Sequence, residues 1–160
     1  MTEPKHLLRL HLPARDDLSF RRQLLADPET MSFNAEWGGT IAFTEEAWND
    51  WYDEWIANHR NLRYYRYLVN EAGDYVGEIS FRFDPKWGGY MANVIIHNRY
   101  RRRGYGREAL RLLCTAAKSR GIPVLYDDMA ITNPALGMFA EEGFSEIART
   151  DRIILLKKEL

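Results

Sequence analysis

The sequence has little cysteine, no long apolar run and almost no net charge. Its single cysteine, Cys114, excludes an intramolecular disulfide and argues against a cysteine-based metal site. No apolar stretch approaches the roughly 18 residues that span a bilayer, and the N-terminal sequence lacks the pattern of a signal peptide. A formal charge of -1 gives no reason to expect polyanion binding. We therefore expect a cytoplasmic protein without a metal, a membrane partner or a nucleic-acid partner.

Internal repeats, low-complexity tracts and dividing linkers are also missing from the chain. A length of 160 residues corresponds to one domain with a core of its own. Hydrophobic residues at 46% and charged residues at 28% are ordinary for a globular fold. We expect residues 1–160 to form a single domain, and the sequence leaves open whether two copies form a homodimer.

Hydrophobic periodicity and turn residues predict helices and strands in irregular alternation. Strands are predicted over residues 7–12, 64–70, 75–83, 90–97, 124–126, 144–149 and 152–157, and helices over residues 18–26, 45–56, 104–120 and 134–143. The helix over residues 45–56 carries an aromatic stripe that is interpreted as core. Residues 28–43 have no sustained period and are predicted to be a long loop. This order favours a mixed α/β domain.

The most informative stretch joins the predicted strand over residues 90–97 to the helix over residues 104–120. It reads VIIHNRYRRRGYG from Val94 to Gly106, a buried strand that runs into a basic loop. Glycine permits positive φ and close backbone approach, and the first turn of a helix leaves N–H groups free. Those N–H groups and the helix dipole make an anion site suited to a pyrophosphate.

Two motifs give the sequence a family resemblance. Arg101-x-x-Gly104-x-Gly106 resembles the R/Q-x-x-G-x-G/A signature of the GNAT acetyltransferases, between the fourth strand and the third helix. The second motif is Asn133 at the start of a helix that ends in Gly143-Phe144. The resemblance covers nearly the whole chain. It implies a single GNAT-like α/β domain, with a central mixed and mostly antiparallel sheet flanked by about four helices.

The resemblance also implies an activity. It is the acetyl-CoA-dependent transfer of an acetyl group to a primary amine of a small molecule, by direct attack within a ternary complex and without a metal. Two alternatives remain open. One is acetylation of a protein N-terminus or lysine, and the other is a non-catalytic module that binds acetyl-CoA.

Residues that would hold acetyl-CoA follow from the same resemblance. The backbone N–H groups of residues 102–106 would bind the pyrophosphate, and the backbone of the fourth strand would bind the pantetheine arm like an added strand. The implied set is Val94, Ile96, Arg101, Arg102, Arg103, Gly104, Tyr105, Gly106 and Asn133. The surrounding arginines fit CoA phosphates better than nucleic acid, whose footprint is usually broader, and a solvated basic face is the remaining alternative.

Amine acetylation needs a base, because an ammonium group has no lone pair to attack the thioester. Many family members place a carboxylate on the fourth strand, but residues 89–97 contain neither Asp nor Glu. The nearest candidates are Glu78 on the adjacent strand, and Asp127 and Asp128 just past the predicted fifth strand. A cross-strand pair with an arginine explains Glu78 equally well.

The general acid and the acceptor site are less clearly marked. The family's usual acid is a tyrosine four residues before the Gly-Phe pair, where this sequence has Phe139. Either the thiolate leaves without help, or water or another group supplies the proton. Trp37 lies beside a glycine pair and no periodicity requires it. With Glu36 it could line a pocket for a cationic amine, through cation–π and charge contacts.

Overall fold

Seven segments with alternating or continuous apolar residues form one mixed sheet in the computed structural model, which describes residues 7–160. The strands are β1 (Arg9–His11), β2 (Arg63–Val69), β3 (Tyr75–Asp84), β4 (Gly89–Ile96), β5 (Val124–Ala130), β6 (Ser145–Arg149) and β7 (Ile153–Glu159). Their order across the sheet is β1-β2-β3-β4-β5-β7-β6. Neighbours are antiparallel except β4 and β5, which are parallel. The mixed, mostly antiparallel sheet that the resemblance implies is confirmed.

Helices cover both faces of this sheet. Within the described residues the α-helices are α1 (Leu18–Ala26), α2 (Glu45–Tyr52), α3 (Tyr105–Ser119) and α4 (Leu136–Glu141). Segments of 3-10 helix lie at Arg15–Asp17, Thr30–Trp37 and Asn98–Tyr100, and a π-helical turn lies at Asp53–Ala57. Across residues 7–160, no helix has the length and apolar content that a bilayer crossing requires.

The larger core lies between one face of the sheet and α3. Leu110, Leu113 and Ala117 are fully buried because they recur at three- and four-residue spacing along this helix. They join Ile79 and Leu125 of the sheet in one cluster, to which α4 also contributes. Full burial of a leucine side chain stabilises a fold by about 1.5–3 kcal/mol. This packing fixes the helix that follows the basic loop.

A smaller core covers the opposite face, beneath α1 and α2. Leu18 and Leu25 of α1 are buried there against Ile95 of β4. Trp48 and Trp51 of the aromatic stripe pack against this cluster, in agreement with their interpretation as core residues. The sheet therefore separates two layers, one formed by α1 and α2 and the other by α3 and α4.

Two predicted segments differ from the structure. The predicted second helix ends as α2 at Tyr52 and continues as the π-helical turn, in which Asn58 N donates to Asp53 O across 2.7 Å. The prediction that residues 28–43 form an unbroken loop is wrong, because Thr30–Trp37 is a 3-10 helix. Asp27 Oδ2 starts that helix by accepting hydrogen bonds from the Thr30 N–H and hydroxyl. The helix could not be predicted from periodicity, because these local hydrogen bonds do not require a hydrophobic period.

The strands β4 and β5 separate after a short stretch of pairing. They are joined only at Tyr90 with Leu125 and at Met91 with Tyr126, within the part of the chain that the structure describes. Residues 92–96 of β4 and 127–130 of β5 then diverge, although β4 stays paired with β3 and β5 with β7. A gap in the strand pairing results in the middle of the sheet. We refer to it as the β4–β5 opening.

Candidate active site

The turn between β4 and α3 presents free backbone N–H groups. Arg102 and Gly104 have left-handed backbone with φ of 64° and 84°, and α3 begins directly after them. Of residues 7–160, none accepts a hydrogen bond from the N–H groups of residues 102–106. Free N–H groups at the start of a helix form an anion site. The turn therefore offers free N–H groups of the kind that bind anions, and the binding of a pyrophosphate there remains a prediction.

The two glycines of the motif differ in whether their backbone conformation requires glycine. Gly104 needs its left-handed backbone, which side chains with a Cβ rarely adopt. Gly106 has no such requirement, and a Cβ added there would lie 3.8 Å from the Met138 side chain, an ordinary contact. Its own fold would thus accept a side chain at position 106. The packing of the fold therefore does not explain why residue 106 is glycine.

Arg101 turns its side chain away from the anion site. Its guanidinium donates to Ile96 O at 3.3 Å, Thr30 O at 2.7 Å and Glu29 O at 3.4 Å. Burial lowers the pKa of this arginine. The side chain ties the turn to the 3-10 helix over Thr30–Trp37. Contact between Arg101 and acetyl-CoA would then involve its backbone, and Arg102 and Arg103 keep exposed side chains.

The open edge of β4 directs backbone groups into the β4–β5 opening. His97 N donates to Val76 O at 2.8 Å, so the backbone of His97 faces β3. Because successive residues of a strand direct their N–H and C=O groups to opposite edges, Val94 and Ile96 face the opening. The bond from Arg101 to Ile96 O agrees with this direction. Both predicted pantetheine-binding residues therefore offer backbone groups there, and their role remains a prediction.

Asn133 lies beyond the end of β5, on the other side of the opening. Its Oδ1 accepts a hydrogen bond from Ala135 N at 2.9 Å and so caps the turn that leads into α4. The Nδ2 group has no acceptor among the residues that the structure describes. The side chain can therefore cap the turn and still donate to a ligand.

Phe139 is a core residue of α4. Its side chain is buried, and its ring centroid lies 5.1 Å from that of Phe144. The family places its tyrosine acid at this position, but phenylalanine has no proton to donate. If a protein group is the acid, another residue must supply it.

Glu78 lies buried beneath α1, with 1% of its surface exposed. Tyr65 donates its hydroxyl proton to Oε2, and Asn93 Nδ2 donates to Oε1 across 3.4 Å. Arg21 Nε is 3.8 Å from Oε2. Burial and the charge of Glu78 raise the pKa of Tyr65 well above its usual range. Both carboxylate oxygens are thus engaged inside the protein.

The arginine beside Glu78 comes from α1 and not from a neighbouring strand. The cross-strand neighbours of Glu78 are Tyr67 and Ile95, so the cross-strand arginine pair considered from the sequence does not occur. The Arg21 guanidinium lies 4.5 Å from the Phe43 ring and 4.6 Å from the Trp51 ring. Sequence reasoning missed this residue, although its spacing from Leu18 and Leu25 places it on the buried stripe of α1.

Asp127 and Asp128 lie inside β5, which reaches Ala130, and not past the strand as the sequence predicted. Because successive strand residues point to opposite faces, the two carboxyl groups are on opposite sides of the sheet. Asp127 faces the α3 layer, where burial and then the charge of Asp128 raise its pKa well above the usual range. Asp128 is exposed on the α1 face.

Glu36 and Trp37 end the 3-10 helix, which packs against β5. Trp37 is 43% exposed. Glu36 Oε2 lies 3.8 Å from an Nη1 atom of Arg152, in the turn between β6 and β7. The 3-10 helix belongs to the α1 face through its buried Met31. Glu36, Trp37 and Asp128 therefore share one face of the sheet, whereas Asp127 is on the other.

The family assignment rests on a match to most of the chain. The family described as the acetyltransferase (GNAT) domain matches residues 7–142. The chain belongs to the GNAT acetyltransferase family. It is thereby an acyltransferase of the acetyl-CoA-dependent N-acetyltransferase class. Among residues 7–160 no cluster of three or more His, Cys, Asp or Glu side chains is arranged to hold a metal ion.

Solved structures share the GNAT fold at low sequence identity. The spermidine N-acetyltransferase of Vibrio cholerae, in complex with CoA and spermine, is 18% identical with a TM-score of 0.80, over 97% of this chain and 96% of that one. An acetyltransferase from Thermus thermophilus is 19% identical with a TM-score of 0.73, over 96% and 97% of the two chains. Such identities show the fold. No curated protein matches this sequence.

Proposed function

We propose that the protein transfers the acetyl group of acetyl-CoA to a primary amine of a small cationic molecule, by direct attack within a ternary complex. The observation that carries the proposal is the β4–β5 opening. It has an anion site at one end and exposed carboxylates on the α1 face. An anionic acetyl donor and a cationic acceptor could therefore meet there.

The residues around the opening fit acetyl-CoA. The free N–H groups of residues 102–106 would hold the pyrophosphate, and the facing backbone of Val94 and Ile96 would bind the amides of the pantetheine arm. Asn133 Nδ2 would donate from the opposite side. These groups would leave the thioester near the point where β4 and β5 separate.

The α1 face suits a cationic acceptor. Asp128 and Glu36 carry negative charge there, and the exposed Trp37 ring can contact an ammonium group. The contact between Glu36 and Arg152 connects the 3-10 helix with the β6–β7 turn. The exposed carboxylates of this face favour a small cation as acceptor. The spermidine N-acetyltransferase among the similar structures acts on an amine of this kind.

Asp128 is our proposed proton acceptor. A base must come within hydrogen-bond distance of the ammonium group that it deprotonates. Glu78 is buried, and its oxygens are occupied by Tyr65 and Asn93, so its position favours a structural role. Asp128 is exposed on the face that would receive the amine. Glu78 remains the second candidate.

The proposal is tested by CoA release from acetyl-CoA across a panel of polyamines, amino sugars, lysine peptides and peptides with free N-termini. We expect turnover with the small cations. Faster turnover with peptides would instead support the protein acetyltransferase alternative. Binding of acetyl-CoA without turnover of any amine would support the non-catalytic module. Asp128→Asn and Glu78→Gln, compared in the same assay, identify the base.

A further inference from the structure

Asp127 lies at the vertex of the β4–β5 opening, where the pairing of the two strands ends. The last pairs between the strands join Tyr90 to Leu125 and Met91 to Tyr126, so Asp127 is the first residue of β5 beyond them. Its counterpart on β4 by position is Ala92. From Ile96 back to Ala92 a strand covers about 13 Å. A pantetheine arm bound along β4 from the turn at residues 102–106 would therefore bring its sulfur toward Asp127.

Asp127 is nearly enclosed and lacks a partner side chain. Only 8% of its surface is exposed. Throughout residues 7–160, no side chain donates a hydrogen bond to its carboxyl group or forms an ion pair with it. Only the Asp128 backbone N–H opposes the rise of its pKa. An isolated buried carboxyl group favours its neutral form, because ionisation would leave an uncompensated charge.

The elements around Asp127 contribute apolar side chains to its face. Leu156 of β7 lies opposite, and Phe139 of α4 and Leu113 of α3 belong to the same core. The charged groups of this face lie at its margins. Lys158 is opposite Leu125, and Glu142 at the end of α4 is bound by arginines of α3. The neighbour whose charge acts on Asp127 is Asp128, and it opposes ionisation.

We propose that Asp127 is the general acid of acetyl transfer and takes the role that Phe139 cannot perform. The assignment rests on the proposed function. Asp127 donates its carboxyl proton to the sulfur as the carbon–sulfur bond breaks and its electron pair stays on sulfur. The amine nitrogen forms the new bond to the acetyl carbon, and Asp128 accepts the proton that this nitrogen loses. Proton exchange with solvent restores both carboxyl groups, and the products are the amide and the CoA thiol.

One strand thus serves both sides of the reaction. Because Asp127 and Asp128 are adjacent in β5, they point to opposite faces at the same level of the sheet. Asp128 meets the acceptor face, and Asp127 meets the face of α3, whose first turn forms the anion site. Two carboxyl groups in different surroundings can then act as base and acid at one pH.

The protonation of Asp127 can be measured without acetyl-CoA. A carboxyl group that is neutral when folded and ionised when unfolded disfavours folding increasingly as pH rises from its unfolded toward its folded pKa. We therefore expect the melting temperature of Asp127→Asn, relative to that of the wild type, to rise steadily as the pH increases above the ordinary aspartate pKa of about 4. Asp128→Asn should gain less, because it removes only the neighbouring charge and leaves Asp127 buried. Parallel profiles for Asp127→Asn and the wild type would overturn the proposal.

The catalytic role has a separate readout. Asp127→Asn should lower kcat by about a hundred-fold or more, since general acid–base help contributes about 10²–10⁴-fold. It should keep the acetyl-CoA Kd within about two-fold and lose the fall in kcat at alkaline pH, since no acid remains to ionise. Asp127→Ala gives the same comparison if Asn is not accepted. An active wild type with unchanged kcat in the variant overturns only the acid, whereas a wild type that acetylates no amine overturns the proposed function too.

Discussion

A substitution at Gly106 should affect acetyl-CoA binding much more than it affects stability. A side chain at this position meets only ordinary contact with Met138, so Gly106→Val should leave the free energy of unfolding within about 1 kcal/mol of the wild type. The branched side chain would stand where the pyrophosphate must approach, and the Kd for acetyl-CoA should rise at least about ten-fold, or about 1.4 kcal/mol. Calorimetric titration and urea unfolding measure the two effects. Gly106→Ala is the control, because the family motif accepts alanine there.

A valine variant with normal affinity would contradict the placement of the anion site. Gly104→Val is not an equivalent test, because its left-handed backbone strains any side chain with a Cβ. Its loss of binding could come from the fold alone.

Glu78 should prove more important for stability than for proton transfer. Glu78→Gln leaves the Arg21 charge buried without a counter-charge and should lower the free energy of unfolding by roughly 2–4 kcal/mol. Adding Arg21→Met should recover part of that loss, because the uncompensated charge is then gone. Urea unfolding of both single variants and the double variant measures this coupling. Unchanged stability with lost turnover would instead identify Glu78 as the base.

For single residues, the sequence predicts which side chains are candidates for the site better than it predicts which residues surround them. The sequence singles out the glycine motif and Asn133 because each carries a local pattern. The alternation of β3 shows that Glu78 and Ser80 share a face, but not that α1 covers that face with Arg21. The opposite environments of Asp127 and Asp128 likewise depend on packing partners that are distant in sequence.

Arg101 links the end of β4 to the 3-10 helix over Thr30–Trp37, two elements that are far apart in sequence. Its side chain bonds the end of β4 and the start of the 3-10 helix, and Asn98 N adds a bond of 2.9 Å to Thr30 Oγ1. Arg101→Met removes the donor for these carbonyl groups and should lower the free energy of unfolding by about 1–3 kcal/mol. Arg102→Met, at an exposed position, should change it by less than about 0.5 kcal/mol. If urea unfolding gave equal losses for the two variants, the hydrogen bonds of Arg101 would not stabilise the fold.

Element boundaries were predictable where hydrophobic periods are strong. The periods of β2, β3, β4 and α3 predict those elements to within about two residues. The 3-10 helix and the π-helical turn were missed because both depend on local hydrogen bonds that leave the apolar spacing unchanged. The strand β5 was predicted too short, because its last residues include two aspartates that only the pairing with β7 keeps in the sheet.

For the whole molecule, acetyl-CoA should raise the melting temperature, since a ligand specific for the folded state stabilises that state. At about a hundred times its Kd the gain is about 2.7 kcal/mol. NAD and ATP at the same concentration should have much smaller effects, because they cannot use the open edge of β4. Differential scanning fluorimetry with the three ligands makes the comparison. Equal shifts for all three would mean that the protein recognises phosphate alone.

The single parallel pairing divides the sheet into two antiparallel ribbons, β1 to β4 and β5 to β7. Within residues 7–160 two residue pairs join the ribbons, so the seam between them has fewer paired residues than any other strand pairing described. A donor molecule lying in the opening would act as an eighth, non-peptide strand along that seam. Binding would then hold the two ribbons together. Amide hydrogen exchange should therefore slow on β4 and β5 together. The protein would be most rigid while it holds the acetyl donor.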